Sequence, residues 1–156
     1  MSITYNYGIQ LVMMVINYLK MKKTSDLKFF IVDDDPFYRM LYNQHLLNMG
    51  FRNNTLIENG EDCLNMLYLE PDVIFLDYDM QTSNGLEILQ QIKLTHPNIY
   101  LLLISGQRNI KVAVKALKHG AFDYIVKGDE DLDMISDVIK KISATKVPVS
   151  KLMELN

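Results

Sequence analysis

The sequence is poor in cysteine and has no excess of positive charge. Cys63 is the single cysteine among 156 residues, so an intrachain disulfide is excluded and a reducing, cytoplasmic location is expected. The 16 basic residues are outnumbered by 19 acidic ones, and the formal net charge is −3. Direct nucleic-acid binding, which needs a clustered basic excess on one face, is therefore not expected.

The sequence also lacks a convincing membrane span or secretion signal. Residues 9–19 are mostly apolar, but this run falls short of the roughly 20 apolar residues that cross a bilayer. No basic residue precedes it, as a secretory signal would require. We interpret residues 1–26 as an N-terminal extension. Two interpretations stay open: a helix packed on the domain or on a partner, or residues translated from upstream of a start at Met21.

Five short apolar runs alternate with five helical patterns along the rest of the chain. Such alternation predicts an α/β domain of (βα)5 type, a doubly wound parallel sheet of five strands with helices on both faces. We assign residues 27–145 to this domain and residues 146–156 to a C-terminal tail. The predicted strands are residues 28–32, 55–57, 73–76, 100–104 and 123–126, and the predicted helices are about residues 36–50, 60–70, 86–96, 109–119 and 131–144.

Helical spacing of apolar residues predicts which helix positions face the sheet. The solvated face of the fourth helix would carry Lys111, Lys115 and Lys118. The predicted inward positions are Phe37, Met40, Leu41 and Leu47 on the first helix, Ile110, Ala113, Val114 and Leu117 on the fourth, and Leu132, Ile135, Ile139 and Ile142 on the last.

An isolated polar residue follows four of the five apolar runs. Asp33 and Asp34 follow the first run, Asp77 the third, Ser105 the fourth and Lys127 the fifth. Because ligands of open α/β sheets bind beyond the carboxyl ends of the strands, these side chains are expected in one cleft. The cleft would then hold three carboxylates, one hydroxyl and one ammonium.

That inventory suits a divalent cation and a phosphoryl group. Crowded carboxylates repel one another unless a cation compensates, and Mg²⁺ prefers such oxygen ligands. A carboxylate can also act as a nucleophile and form an aspartyl-phosphate. Asp77 is the best candidate because its strand lies centrally, while Lys127 and Ser105 would neutralise the phosphoryl oxygens.

The motifs around these residues resemble the response-regulator receiver domain of bacterial two-component signalling, and the chain is similar to chemotaxis-type single-domain regulators. The resemblance covers about residues 27–144 and implies a flavodoxin-like fold with strand order 2-1-3-4-5. The matching segments are IVDDDP at residues 31–36, FLDYDM at 75–80, NG at 84–85, LISG at 103–106, GAFDY at 120–124 and IVK at 125–127.

The resemblance implies a role for each site residue. The donor would be a histidine kinase or a histidine phosphotransfer protein, and Mg²⁺ the cofactor. The chain would be a signalling protein rather than an enzyme with turnover. The implied roles are Asp77 as phosphoacceptor, Asp33, Asp34, Asp77 and the backbone carbonyl of Asp79 as metal ligands, Lys127 as the phosphate-pairing lysine, Ser105 as the switch hydroxyl, and Tyr124 as the aromatic that turns inward with it.

The resemblance also implies an output surface. This surface is formed by the fourth helix, fifth strand and fifth helix of the repeat, and it would contact a downstream protein. A homodimer linked to phosphorylation remains an open possibility.

Two features depart from the family pattern. Gly128 follows Lys127 where the family usually has a proline, often after a cis bond. A non-proline cis bond costs about 2.5–4 kcal/mol, so a trans bond that changes the direction of Lys127 is an open alternative. The loop after Asp77 has no proline, and Asp79 adds a carboxylate that could tune the phosphate lifetime.

Three other functions are alternatives to this one. A degenerate receiver would bind a partner without phosphorylation, which Gly128 keeps open and the intact acidic residues disfavour. A phosphatase of the haloacid dehalogenase type would use Asp77 and Asp79, but its late acids are replaced here by Lys127. A flavin-binding module of the same topology would need a phosphate-binding loop after the first strand, and none is present.

Overall fold

The five predicted strands form one parallel sheet in a computed structural model that describes residues 2–24 and 26–145. The predicted tail, residues 146–156, lies outside the described residues. The strands are β1 (Lys28–Val32), β2 (Asn53–Ile57), β3 (Val73–Asp77), β4 (Tyr100–Ser105) and β5 (Asp123–Val126), and the helices are α1 (Ser2–Thr24), α2 (Pro36–Asn48), α3 (Gly60–Asn65), α4 (Gly85–Thr95), α5 (Ile110–Lys118) and α6 (Asp131–Thr145).

The strand order is β2-β1-β3-β4-β5, which confirms the doubly wound topology expected from the resemblance. In register, β1 and β4 flank β3, with Val32 opposite Leu76 and Ile104 opposite Asp77. The carboxyl ends of the three strands therefore meet at one edge of the sheet, with β3 in the centre.

Alternation along the strands builds two cores, because successive side chains of a strand point to opposite faces. One face, which includes Val32 and Leu76, packs against α3, α4 and α5. The other face, which includes Ile31 and Phe75, packs against α2 and α6. The strands are thus buried on both faces, as their nearly continuous apolar sequences predict.

The predicted inward face of α2 was only partly correct, since Leu41 is half-buried against the core but two of the other predicted residues are exposed. Its buried residues are Tyr42 and Leu46, whereas Phe37 is 63% exposed and Met40 is also exposed. Asp35 caps the helix by accepting a hydrogen bond from the backbone N–H of Phe37, and Pro36 occupies the first turn, as the sequence predicts. Apolar residues occur around most of this helix, so their spacing did not identify the buried face.

The predicted inward face of α5 was wrong. Val112 and Ala116 are buried, whereas Ile110 is 82% exposed and Val114 and Leu117 are exposed as well. Two apolar stripes at helical spacing overlap on this helix. The stripe with the small Ala116 packs against the sheet, which leaves the bulkier one on the surface.

The other helices follow the sequence more closely. On α6, Ile135, Ile139 and Ile142 are buried as predicted, together with Val138. The helix predicted over residues 60–70 is interrupted: α3 ends at Asn65, and a short 3-10 turn, Leu67–Leu69, follows. This turn ends at Glu70, which adopts a left-handed conformation with φ 55°.

The helix α1 precedes the sheet in the chain. Side chains described on α1 between residues 7 and 18 are exposed, apart from the half-buried Ile16. Among the described residues, no helix combines the length and apolar character that a bilayer crossing requires. The division of the chain at residues 26 and 146 stays a prediction.

Gly85 allows the chain to return directly beneath the end of β3. Its backbone N–H donates to the carbonyl of Tyr78 at 3.0 Å, and Asn84 caps α4 by accepting a hydrogen bond from the N–H of Leu86. A Cβ atom at Gly85 would overlap the backbone carbonyl oxygen of Asp77. Only a residue without a side chain permits this approach.

We therefore expect Gly85→Ala to lower the free energy of unfolding by about 2–4 kcal/mol, because backbone atoms next to Asp77 must move. Urea denaturation would measure the loss. Gly106→Ala is the matched control, since no atom lies within 4 Å of a Cβ built there. Equal stability of the two variants would contradict the close approach.

Candidate functional site

The acidic residues of the site lie at the ends of β1 and β3. Asp33 and Asp77 are buried, Asp77 to 3% exposure, and Asp34 is half-buried. Carboxylate oxygens of all three residues lie within 4.8 Å of one another. The loop itself orients two of them: Asp33 accepts a hydrogen bond from the N–H of Asp35 at 2.9 Å, and Asp34 accepts one from the N–H of Gln81 at 2.9 Å.

Lys127, at the end of β5, reaches across to both buried acids. Its ammonium donates a hydrogen bond to Asp33 Oδ2 at 2.7 Å and forms an ion pair with Asp77 Oδ1 at 2.9 Å. The backbone N–H of Lys127 donates to the carbonyl of Ser105 at 2.8 Å, which holds β5 beside β4. No cis peptide bond occurs among the described residues, so the bond before Gly128 is trans, and Lys127 still reaches both acids.

Tyr38 of α2 forms one wall around the ammonium. Its ring centroid lies 3.9 Å from Lys127 Nζ, which is the geometry of a cation–π contact. Tyr38 was not predicted as a site residue from the sequence. Its only sequence signal is its position four residues after Asp34, within the first turns of the helix that follows the acids.

Ser105 and Tyr124 are organised by the loop between β4 and α5. Ser105 is buried, accepts a hydrogen bond from the N–H of Gln107 at 3.2 Å, and donates a long one to Asp79 Oδ2 at 3.5 Å. Tyr124 donates its hydroxyl hydrogen to the carbonyl of Gln107 at 2.8 Å. Both residues therefore contact one loop, while Asp79 is an exposed residue beside it.

Burial dominates the electrostatics of Asp77. It raises the pKa of Asp77 from 3.8 to about 6, against the lowering effect of Lys127 and with a further rise from Asp33. For Lys127, burial lowers the pKa, but the close contacts with the charged Asp33 and Asp77 outweigh it and raise the pKa above its ordinary value. The ammonium is thus firmly charged, and the acids around it are only partly compensated.

The residues present fit a small divalent cation. Three carboxylates converge, and the buried Asp77 Oδ1 receives no hydrogen bond of good geometry despite its ionic contact with Lys127. Oxygen-only ligands and uncompensated negative charge are what Mg²⁺ prefers. Asp33, Asp34 and Asp77 are the residues that would hold it.

Comparison with known proteins identifies the family. A family model described as "Response regulator receiver domain" matches residues 29–140. The chain belongs to this receiver domain family. Receiver domains of this family are the phosphoacceptor modules of two-component response regulators. The resemblance and the fold that were predicted from the sequence are therefore both confirmed.

The receiver domain has relatives among transcriptional regulators. It is 33% identical over 115 residues to the DNA-binding transcriptional regulator NtrC of Escherichia coli strain K12, an alignment that covers 73% of this chain and 24% of NtrC. It is 38% identical over 99 residues to the nitrogen assimilation regulatory protein NtrX of Azorhizobium caulinodans, covering 62% of this chain and 22% of NtrX. The chain thus spans about a quarter of the length of these relatives.

Solved receiver domains have the same architecture. The receiver domain of NtrX from Brucella abortus superposes with a TM-score of 0.70 at 30% identity, covering 76% of this chain and all of that one (100%). The response regulator TrrA of Thermotoga maritima, solved in complex with Mg²⁺-BeF, superposes with a TM-score of 0.67 at 25% identity, covering 74% of this chain and 98% of TrrA.

The raised pKa of Asp77 predicts a pH-dependent stability of the metal-free receiver domain. The folded state binds the Asp77 proton more tightly than the unfolded state, so stability falls as pH rises from about 4 to about 6 and stays reduced above it. The full effect is about 3 kcal/mol. Asp77→Asn removes this titration.

Urea denaturation in EDTA between pH 4 and 8 would measure the effect. The stability advantage of Asp77→Asn over the wild type is expected to grow as the pH rises through this window and then to level off. A constant difference across the pH range would show that Asp77 is not buried as described.

Proposed function

We propose that this receiver domain accepts a phosphoryl group on Asp77 from a phosphohistidine of a histidine kinase or a histidine phosphotransfer protein. The observation that supports this most directly is the position of Asp77: a buried carboxylate at the centre of the sheet edge, 2.9 Å from Lys127 Nζ and beside Asp33 and Asp34. An aspartyl-phosphate needs this combination of nucleophile and compensating charge.

In the proposed reaction, a carboxylate oxygen of Asp77 forms a bond to phosphorus while the phosphorus–nitrogen bond of phosphohistidine breaks. The electron pair of that bond stays on the imidazole nitrogen, which then takes a proton. Lys127 stabilises the negative charge of the phosphoryl oxygens, since its ammonium already lies against Asp77. Mg²⁺, held by Asp33, Asp34 and Asp77 with the Asp79 carbonyl, would neutralise the remaining charge.

We propose that Ser105 moves when Asp77 is phosphorylated and transmits the change to the surface. Its hydroxyl has a weak bond to Asp79, at 3.5 Å, that it can exchange for a phosphoryl oxygen. Movement of Ser105 would displace Gln107, because the two residues share a hydrogen bond. Tyr124 is hydrogen-bonded to the carbonyl of the same Gln107. Tyr124 would then follow the loop inward, as the resemblance implies.

The surface that changes would be that of α5, β5 and α6. A cavity of about 660 Å³ lies on it, lined among others by Arg108, Ile110, Tyr124 and Met134. The exposed apolar stripe of α5, Ile110, Val114 and Leu117, borders this region. We propose it as the contact for a downstream protein or for a second copy after phosphorylation. The protein would act in the cytoplasm as a signalling component without turnover of an external substrate.

Two features of Lys127 argue against the competing functions. A degenerate receiver would follow from a Lys127 misdirected by Gly128, but Lys127 reaches both acids. A phosphatase would need a late acid at the site, and the end of β5 supplies an ammonium instead.

Intact mass after incubation with acetyl phosphate and Mg²⁺ tests phosphorylation. One phosphoryl adduct is expected on the wild type, none on Asp77→Asn, and none when EDTA replaces Mg²⁺. Asp137→Asn is the control, because Asp137 is an exposed acid on α6. Absence of the adduct from all folded variants would overturn the proposed function in favour of a binding module.

The metal assignment has its own test in Asp34→Asn. Removing one of three converging charges is expected to raise the melting temperature in EDTA, while the amide still accepts the hydrogen bond from Gln81. The stabilisation by added Mg²⁺ should shrink at the same time, since a ligand is lost. A lower melting temperature in EDTA, or an unchanged response to Mg²⁺, would contradict the assignment.

A further inference from the structure

A buried hydrogen bond joins α2 to the start of α6. The hydroxyl of Tyr42 donates to Asp131 Oδ2 at 2.9 Å, with Tyr42 1% and Asp131 3% exposed. The ring of Tyr42 also packs edge-on against Phe75 of β3, two residues before Asp77, with centroids 6.2 Å apart. Burial and the charge of Asp131 raise the pKa of Tyr42 above its ordinary value, so Tyr42 remains a donor.

The same carboxylate oxygen contacts the loop that follows Lys127. The backbone N–H of Gly128 donates to Asp131 Oδ2 at 3.4 Å, and the N–H of Asp131 donates to the carbonyl of Gly128 at 3.3 Å. Gly128 is bonded directly to Lys127, so these two long contacts orient the peptide plane from which Lys127 extends. Tyr42, Asp131 and Gly128 form a continuous chain of hydrogen bonds, which we name the lysine-loop bridge.

The helix α2 therefore contacts Lys127 once directly and is linked a second time, through Asp131, to the backbone that follows it. Tyr38 contacts the ammonium through its ring, and Tyr42, one helical turn later, contacts the backbone after Lys127 through Asp131. Residues four apart lie on the same side of a helix, so both tyrosines point toward the lysine loop. One helix thus orients both ends of Lys127.

We propose that Asp131 and Tyr42 are positioning residues that aim Lys127 at Asp33 and Asp77 through the lysine-loop bridge. This inference rests on the proposed function for its consequence, since a misdirected Lys127 would slow phosphorylation of Asp77. It concerns residues that touch neither the phosphoryl group nor the metal. They act only through the backbone of Gly128 and the side chain of Lys127.

The bridge is incompatible with proline at position 128. A proline there has no N–H and could not donate to Asp131, and its φ is restricted to about −65°, whereas Gly128 has φ 159°. The bridge therefore holds this loop through hydrogen bonds at the position where a proline ring would restrict it covalently. Gly128, where the sequence departs from the family pattern, thus acts together with the buried pair of Tyr42 and Asp131 to hold the loop after Lys127.

A purely structural alternative is a capped helix start. A carboxylate at the start of a helix can accept a hydrogen bond from a backbone N–H three residues earlier, as Asp131 does from Gly128. Such a cap requires no buried tyrosine from another helix. A cap also predicts only a change in global stability when it is removed, whereas the bridge predicts a local change at Lys127.

Acetylation of lysines distinguishes the positioning role of the lysine-loop bridge from a helix cap. The native protein is treated with acetic anhydride in pulses, and acetylation of each lysine is followed by peptide mass spectrometry. Lys127 is expected to be protected in the wild type, because its side chain is only 10% exposed and its ammonium lies against two carboxylates. In Tyr42→Phe, which removes one hydroxyl and keeps the ring, acetylation of Lys127 is expected to accelerate about threefold or more.

Two controls distinguish a local change at Lys127 from a general opening of the fold. Lys93 is a half-buried lysine at the opposite end of the sheet, with its ammonium bonded to the carbonyl of Ile99, so its acetylation rate reports general opening. Tyr100→Phe removes another tyrosine hydroxyl that contacts α6, through Thr145 at 3.0 Å, at that same end. Neither Lys93 in Tyr42→Phe nor Lys127 in Tyr100→Phe should label faster.

The initial rate of Asp77 phosphorylation by acetyl phosphate is then compared. Tyr42→Phe is expected to lower it about tenfold, in line with the loss on removing groups that orient a reactive side chain. Asp131→Asn keeps one acceptor and should fall between Tyr42→Phe and the wild type.

Equal acceleration of Lys93 and Lys127, or no acceleration of either, would overturn the bridge as a positioning device. Failure of the proposed function is seen separately, as a wild type that takes no phosphoryl group. Acetylation of Lys127 still decides whether the bridge positions Lys127 in that case, because this labelling requires no phosphoryl transfer.

Discussion

The site depends on one ammonium placed between two buried carboxylates. Asp33 and Asp77 are both withdrawn from water, and their mutual repulsion would destabilise the fold if Lys127 did not lie within 3 Å of each. The contact also connects three strands, since the residues end β1, β3 and β5. Compensation is incomplete because three carboxylates converge and a single lysine pairs with two of them, and the residual negative charge attracts a metal cation.

The sequence predicted this arrangement well, because strand ends are local features and sheet topology follows strict rules. Each reactive residue directly follows an apolar run, and parallel strands bring their carboxyl ends to one edge. The positions of Asp33, Asp77, Ser105 and Lys127 therefore required only the strand boundaries and the strand order. The strand order itself came from family resemblance rather than from the residues.

The helix faces and the supporting residues were not predictable in the same way. On α2 and α5 more than one apolar stripe was available, and the choice depended on which residues fit the sheet, such as Ala116 on α5. Tyr42 and Asp131 are 89 residues apart and join only in the folded chain. Each looks ordinary in sequence, one as an aromatic helix residue and the other as an acid in a first turn.

The two ends of the sheet are separated by the buried length of the strands, about 16 Å for a strand of five residues such as β3. Asn98, exposed before β4, therefore lies at the end remote from the acids. Cys63 is buried, and burial raises the pKa of its thiol to about 12, so it does not compete for thiol-reactive reagents. A fluorophore on a cysteine introduced at Asn98 would thus label the protein at a single position and leave the reactive edge of the sheet free for its partners.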